Sequence, residues 1–144
     1  MPFNTRDRII ETGAAIIHRK GFNHTGIQEI LTAAAVPKGS FYNYFRSKED
    51  FGLQIIDYYS ARFEQIASKT LADTSISPLN RIYEFLAAFM EYFESQNYTG
   101  GCPIGNLAQE MGDLNPAFRI KLSESIDMMV DTYSQLLSAA QEDG

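Results

Sequence analysis

The sequence predicts an all-α protein: an N-terminal three-helix helix-turn-helix unit joined by a long helix to a larger helical body. Three observations lead there. There are only two valines, Val36 and Val130, and no run of β-branched residues alternates with polar ones. Apolar positions recur instead every three to four residues. Helix punctuation also falls at regular intervals: Gly21, Pro37, Ser47, Ser77-Pro78, Pro103 and Asn115-Pro116.

Each element follows from local chemistry. Thr5 is placed to cap a first helix to about Lys20, with Ile9, Ile10, Gly13, Ala14 and Ile17 on its inner face and cations near its negative end. Gly21 stops it, and Phe22 can fold back on the last turn. Thr25 with Gln28 reads as a capping box for a short second helix, whose inner face is Ile27, Ile30, Leu31 and Ala34. After the turn Ala34-Ala35-Val36, Pro37 suits the start of a third helix to about Phe45. Ser47 caps a long helix over about 48–71, with Glu49 and Asp50 in its first turn. Beyond the turn-rich stretch 73–78, Ser77 caps a fifth helix that is apolar almost all round, which predicts burial on several sides. A loop over 97–101, a short helix from Pro103 and a last helix from Pro116 to about Ala140 complete the chain.

The 144 residues, 44% hydrophobic and 21% charged, can bury a core without disulfide or metal staples. One cysteine and two histidines make a poor metal site, and no cofactor motif is present. No apolar run approaches the roughly 20 residues of a membrane span, so no membrane partner is expected. The net charge of −6 is uneven: residues 1–50 sum to +2 and residues 51–144 to −8. A basic head on an acidic body points to a polyanion partner for the head alone, unless the clustering is merely a solvated surface.

Two short helices joined by a tight turn after a support helix make a helix-turn-helix unit. In its third helix Phe41 and Phe45, four apart, can anchor one face. Lys38, Gly39, Ser40, Tyr42, Asn43 and Tyr44 are left outward or at the edges. These residue types suit a reader of the DNA major groove. Lys38 can donate to guanine, Asn43 can pair with adenine, Ser40 can donate or accept at a base edge, and Gly39 lets the backbone approach. The Tyr42 and Tyr44 hydroxyls can donate to phosphates. On spacing alone, the alternative is a small helical corner with surface tyrosines.

The run Gly21-Phe22, Thr25-Gly26-Ile27-Gln28-Glu29-Ile30 and Ala35-Val36-Pro37-Lys38-Gly39-Ser40-Phe41-Tyr42-Asn43-Tyr44-Phe45-Arg46-Ser47-Lys48-Glu49 closely resembles the DNA-binding domain of TetR/AcrR-family regulators over about residues 5–55. The resemblance implies a homodimeric, all-helical, one-component regulator, and the charged N-terminus with no membrane-length apolar run leads to the expectation that it is cytoplasmic. Residues 1–47 would bind a double-stranded DNA operator, and residues 48–144 would form a pocket for a small-molecule effector and a dimer face. By the family pattern Thr25, Tyr42, Tyr44 and Lys48 would touch phosphates, Lys38, Gly39, Ser40 and Asn43 would face bases, and Arg46 would add charge near the backbone. Pro37 stands where serine is also common, which keeps the helix start but removes one donor. Family members usually continue for two more helices that build the dimer interface. With the chain ending at Gly144, exposed apolar surface is expected over 118–137.

In the body, Phe63, Phe85, Phe89, Met90, Phe93, Met111, Met129 and Tyr133 are the expected lining for an apolar or aromatic effector, or else simply core. Arg62, Arg81 and Arg119 are the obvious cations for a ligand carboxylate. Cys102, also expected at the ligand site, stands at a helix N-cap after Gly100-Gly101, where free N–H groups favour a thiolate. The run from Gly100 to Met111 resembles a TetR subgroup in which some members with cysteine at this place respond to electrophiles such as quinones, aldehydes or maleimides. The other reading of Cys102 is a small buried apolar residue. Two alternatives to a regulator stand beside it. One is a non-specific architectural DNA binder. The other is a helical thiol enzyme using Cys102, which lacks a nearby base because His18 and His24 lie far along the chain.

Overall fold

The structure is a computed structural model that describes residues 4–144. It is built of α1 (Thr5–Lys20), α2 (Ile27–Ala33), a 3-10 helix (Lys38–Asn43), α3 (Lys48–Ala72), α4 (Pro78–Ser95), α5 (Pro103–Met111) and α6 (Pro116–Asp143). There is no strand among the described residues. No helix among them is long and apolar enough to cross a membrane. The expected all-helical fold class, with a helix-turn-helix head on a helical body, is the one observed.

Several helix ends follow the chemistry expected of them. Ser47 accepts from the Asp50 N–H at 3.0 Å. Ser77 and Asn115 cap α4 and α6, each with proline in the first turn. Gly21 ends α1 at φ 88°, a backbone conformation that favours glycine.

Others are corrected. Asn4, one residue earlier than Thr5, caps α1. The Thr25–Gln28 capping box does not form. Gly26 is the N-cap of α2, the Thr25 hydroxyl donates to the Gly21 carbonyl at 2.7 Å, and Gln28 bonds Thr32. The buried Thr25 side chain finds a closer acceptor in the end of α1, which its own bend brings back. The third helix is a tighter 3-10 turn, closed by Ser40 N–H to Pro37 carbonyl and Tyr44 N–H to Phe41 carbonyl, both at 3.0 Å. Six residues that include Gly39 are too few to propagate a stable α-helix.

One apolar core runs without a break from head to body. In the head, Ile9, Ile17, Ile30, Leu31, Phe41 and Phe45 meet Phe51, Ile55 and Ile56 of α3, and the same cluster continues through Ile104, Leu107, Phe118 and Leu122. Phe41 packs tilted on Phe45 and edge-on to Phe51, with centroids 5.0 and 5.5 Å apart. A smaller cluster of Phe63, Ala67, Phe85 and Leu136 holds the distal half of α3 to α4 and α6. Between α3 and α6 the Lys121–Asp57 ion pair at 2.8 Å and the Ser60–Ser125 hydrogen bond at 2.7 Å flank the apolar contact.

The expectation that α4 is buried on several sides is wrong. Only Phe85 is buried on it, and Leu79, Tyr83, Leu86 and Met90 are exposed. The helix packs chiefly on α3 and α6. Exposed apolar positions over 118–137 do occur, at Ile120, Ile126, Val130, Tyr133 and Leu137, while Phe118, Leu122 and Leu136 of the same stretch are buried.

Candidate DNA-reading face and effector cavity

The head presents one polar face. Burial of Phe41 and Phe45 at i and i+4 turns Lys38, Gly39, Tyr42, Asn43 and Tyr44 outward, with Ser40 at the edge; Tyr42 is 68% exposed. A Cβ at Gly39 would meet nothing within 4 Å, so internal packing does not require glycine there. Thr25 does not join this face: it is 1% exposed and its hydroxyl is spent on Gly21. Lys48 is half-buried. Its ammonium donates to the Phe22 carbonyl at 2.8 Å and lies 4.6 Å from the Phe22 ring centroid. Desolvation pulls its pKa below the ordinary lysine value, while the Glu110 carboxylate pulls the other way. Two of its three donors remain for an outside acceptor.

A cavity of about 230 Å³ lies between α3, α4 and α5. Of the expected lining, Phe63, Phe89, Phe93, Cys102 and Met129 are brought together there. Phe85 sits behind them, edge-on to Phe63 and Phe89. Tyr133 packs on Phe85 from the far side. Met90 is 57% exposed on the outer face of α4, and Met111 is buried at the head side of α5, where its sulfur meets the Asn23 amide at 3.3 Å. Neither Met90 nor Met111 lines the cavity. Tyr59, Arg62, Gln65, Ile66, Tyr92, Pro103 and Ile104 also line it. Their helical spacing was legible, since Tyr59, Phe63 and Ile66 share a stripe of α3, but which stripe faces a void depends on how α4 and α5 cross it. Among the three candidate cations only Arg62 is here. Arg81 and Arg119 instead donate to the Ile76 and Gly112 carbonyls.

Cys102 is exposed and is the N-cap of α5, its sulfur accepting from the Gly105 N–H at 3.4 Å. It is not a buried apolar filler. The loop before it has four consecutive-region positive φ values, at Asn97, Tyr98, Gly100 and Gly101. The expected distance between His18 and this loop is overturned: His18 Nε2 donates to the Gly101 carbonyl at 2.9 Å, and a side chain at Gly100 would strike the His18 ring. That nitrogen is committed to the carbonyl rather than to the sulfur.

The other end of α5 also grips the head. The Glu110 carboxylate accepts from the Phe22 and Asn23 N–H groups, both at 2.8 Å. Asn115 donates to Glu49 at 2.8 Å, and Gly52 lets the Phe22 and Phe118 rings close over α3. A short helix that walls the cavity at one end therefore holds the α1–α2 turn at the other. Burial pushes the Tyr59 phenol up, and its hydroxyl donates to the Ala14 carbonyl of α1 at 3.0 Å. Tyr92 is likewise pushed up by burial, opposed by Arg62.

Fold and site define a helix-turn-helix protein with a cavity-bearing helical body. The description "Bacterial regulatory proteins, tetR family" matches residues 9–55, and "Tetracyclin repressor-like, C-terminal domain" matches residues 78–144. The chain is 39% identical over 136 residues to the transcriptional regulator AcuR of Cereibacter sphaeroides, covering 94% of this chain and 62% of AcuR. It is 34% identical to the repressor DhaR of a Mycobacterium species, covering 96% and 68%. It is 30% identical to the repressor NemR of Escherichia coli K12, covering 96% and 70%. A crystal structure of regulatory protein TetR from Rhodobacter sphaeroides superposes with a TM-score of 0.90 at 38% identity, covering 97% of this chain and 74% of that one. The reduced form of E. coli NemR superposes at 0.80 and 30% identity, covering 98% and 73%. The chain belongs to the TetR family. It spans less than two thirds of AcuR's length and about two thirds of DhaR's.

Proposed function

We propose that the chain is a ligand-responsive DNA-binding transcriptional regulator. It acts as a homodimeric repressor in the cytoplasm and leaves a palindromic operator when a small apolar or electrophilic effector enters the cavity beside Cys102. The observation that carries this reading is that α5 belongs to both sites: Cys102 to Ile104 wall the cavity, and Glu110 holds the turn that orients the DNA-reading face. DhaR and NemR being repressors supports it. An effector that displaces α5 pulls on Phe22 and Asn23, and so on the face carrying Lys38, Tyr42, Asn43 and Tyr44. Only a ligand with different affinity for the two arrangements shifts that equilibrium. Cys102, exposed at the cavity wall, suits covalent capture of a soft electrophile; a solved structure of NemR is of its reduced form.

Selection of duplexes from a random pool tests the reading. A two-fold dimer selects half-sites about one helical turn, roughly 34–36 Å, apart; recovery of an asymmetric site bound by one chain overturns it. Lys38→Ala is expected to cost about 1–3 kcal/mol and relax preference at one base. Lys48→Ala is expected to weaken all sequences alike, with a salt slope smaller by about one. For the thiol, Cys102→Ser should no longer release DNA with N-ethylmaleimide or benzoquinone; if release is unchanged, the effector is non-covalent.

A further inference from the structure

The cavity has a charged boundary. Arg62 lines it, yet none of the other lining residues is acidic. Among the described residues no carboxylate forms an ion pair with Arg62. Its side-chain hydrogen bond and its cation–π contact are both with Tyr58: Nη1 donates to the Tyr58 hydroxyl at 3.2 Å, and the guanidinium lies 5.6 Å from the Tyr58 ring centroid. A hydroxyl and a ring hold a guanidinium in place without neutralising it.

Beyond Arg62 lies a second, more polar space of about 260 Å³ against α1, lined by Glu11, His18 and Arg19 among others. Tyr59, Arg62 and Tyr92 line both spaces. On the polar side stand two guanidiniums against one exposed carboxylate, that of Glu11. The His18 Nε2 is already spent on Gly101. One side of the Tyr59–Arg62–Tyr92 wall is thus aromatic and aliphatic, and the other is polar with a cationic excess.

We propose that the effector is an apolar carboxylate: its hydrocarbon or single-ring part fills the space bounded by Phe63, Phe89, Phe93 and Ile104, and its carboxylate meets Arg62 at the boundary with the groove against α1. This rests on the reading of the cavity as the effector site and names the ligand class for it. About 230 Å³ is below the roughly 300–1,000 Å³ of drug-sized sites, so one ring with a short chain is the matching size. A planar guanidinium can take both carboxylate oxygens. An anion at Arg62 also sits beside α1 of the head, next to the Tyr59 hydroxyl that bonds Ala14.

The probes are 3-phenylpropionate and 3-phenylpropan-1-ol, a saturated pair that differs only in the charged end and cannot alkylate Cys102. Calorimetry on the whole chain should show the acid binding roughly tenfold more tightly than the alcohol, the effect of one charge-assisted hydrogen bond pair at a partly exposed site. Added salt should weaken the acid and leave the alcohol unchanged. Arg62→Gln should bring the acid down to the alcohol's affinity, Arg62→Lys should retain part of the preference, and Arg81→Gln should alter neither. Equal binding of acid and alcohol, or a preference that survives Arg62→Gln, overturns the carboxylate assignment while leaving the cavity reading standing. Failure of both probes to bind overturns the assignment together with the cavity reading; duplex binding, measured separately, decides the DNA-binding half.

Discussion

The head and the distal body use their apolar residues in opposite ways. In the head, Phe41, Phe45, Phe51, Ile9, Ile30 and Ile55 are all essentially inaccessible, and the large side chains left outside are polar or phenolic. In the distal body, α4 and the outer face of α6 bury only Phe85 and Leu136 among the residues of the small cluster that they supply, and they expose two stripes: Leu79, Tyr83, Leu86 and Met90, and Ile126, Val130, Tyr133 and Leu137. Both stripes have the same helical spacing as the head's core. Periodicity therefore marks a face that wants a partner, and only in the head does the described chain supply that partner in full.

The largest expected effect separates the two regions directly. Phe41→Ala should cost about 3–5 kcal/mol in denaturant unfolding, because it opens a cavity against Phe45 and Phe51. Met90→Ala, on the exposed stripe, should stay within about 0.5 kcal/mol in the same measurement. Comparable losses would mean that the α4 stripe is covered in solution. At the seam, Gly52→Ala should cost about 1–3 kcal/mol, since the new methyl runs into the Phe22 and Phe118 rings. A smaller loss, about 1–2 kcal/mol, is expected of Glu110→Gln, which keeps an acceptor but removes the charge from the bonds to Phe22 and Asn23. Amide exchange should quicken at those two residues and stay unchanged at Ile104.

The smallest of the expected losses at a buried or bonded position is confined to the first turn of α3. Ser47→Ala should cost about 1 kcal/mol as a lost cap. Asp50, opposite it, is held below its ordinary value near 3.8 by the backbone N–H of Arg46, with Gln54 assisting. A depressed carboxylate contributes stability above its unfolded pKa and loses it as pH falls through the folded value. The Arg46 amide proton should thus remain protected at pH 4 and lose protection only in stronger acid. Loss of protection already at pH 5 would show that the Arg46–Asp50 hydrogen bond does not form in solution.

How much of the site could be read beforehand depends on the range of the interaction. The outward set Lys38, Tyr42, Asn43 and Tyr44 followed from two phenylalanines four residues apart, and even a change from α to 3-10 geometry left those side chains outside. Thr25 was misplaced because its hydroxyl answers to Gly21, a carbonyl that the end of α1 delivers. The capping role of Cys102 was visible in Gly101-Cys102-Pro103. Its neighbour across the seam, His18, lies 83 residues from Gly101 in the chain and has no local signature.

Composition, spacing and punctuation were enough for the helical class, the helix-turn-helix head, the caps at Ser47, Ser77, Cys102 and Asn115, and the polar outward face of the third helix. All of these depend on contacts within about one helical turn, where side-chain chemistry and backbone geometry are coupled by proximity. Which aromatic residues surround a cavity, which arginine stands at its edge, and that α5 grips the head at both ends were decided by how α3, α4, α5 and α6 cross. Those crossings are chosen by packing summed over the whole core, and a side chain such as Met90 or Met111 falls on one side of a wall or the other according to a helix rotation that no single stretch of sequence specifies.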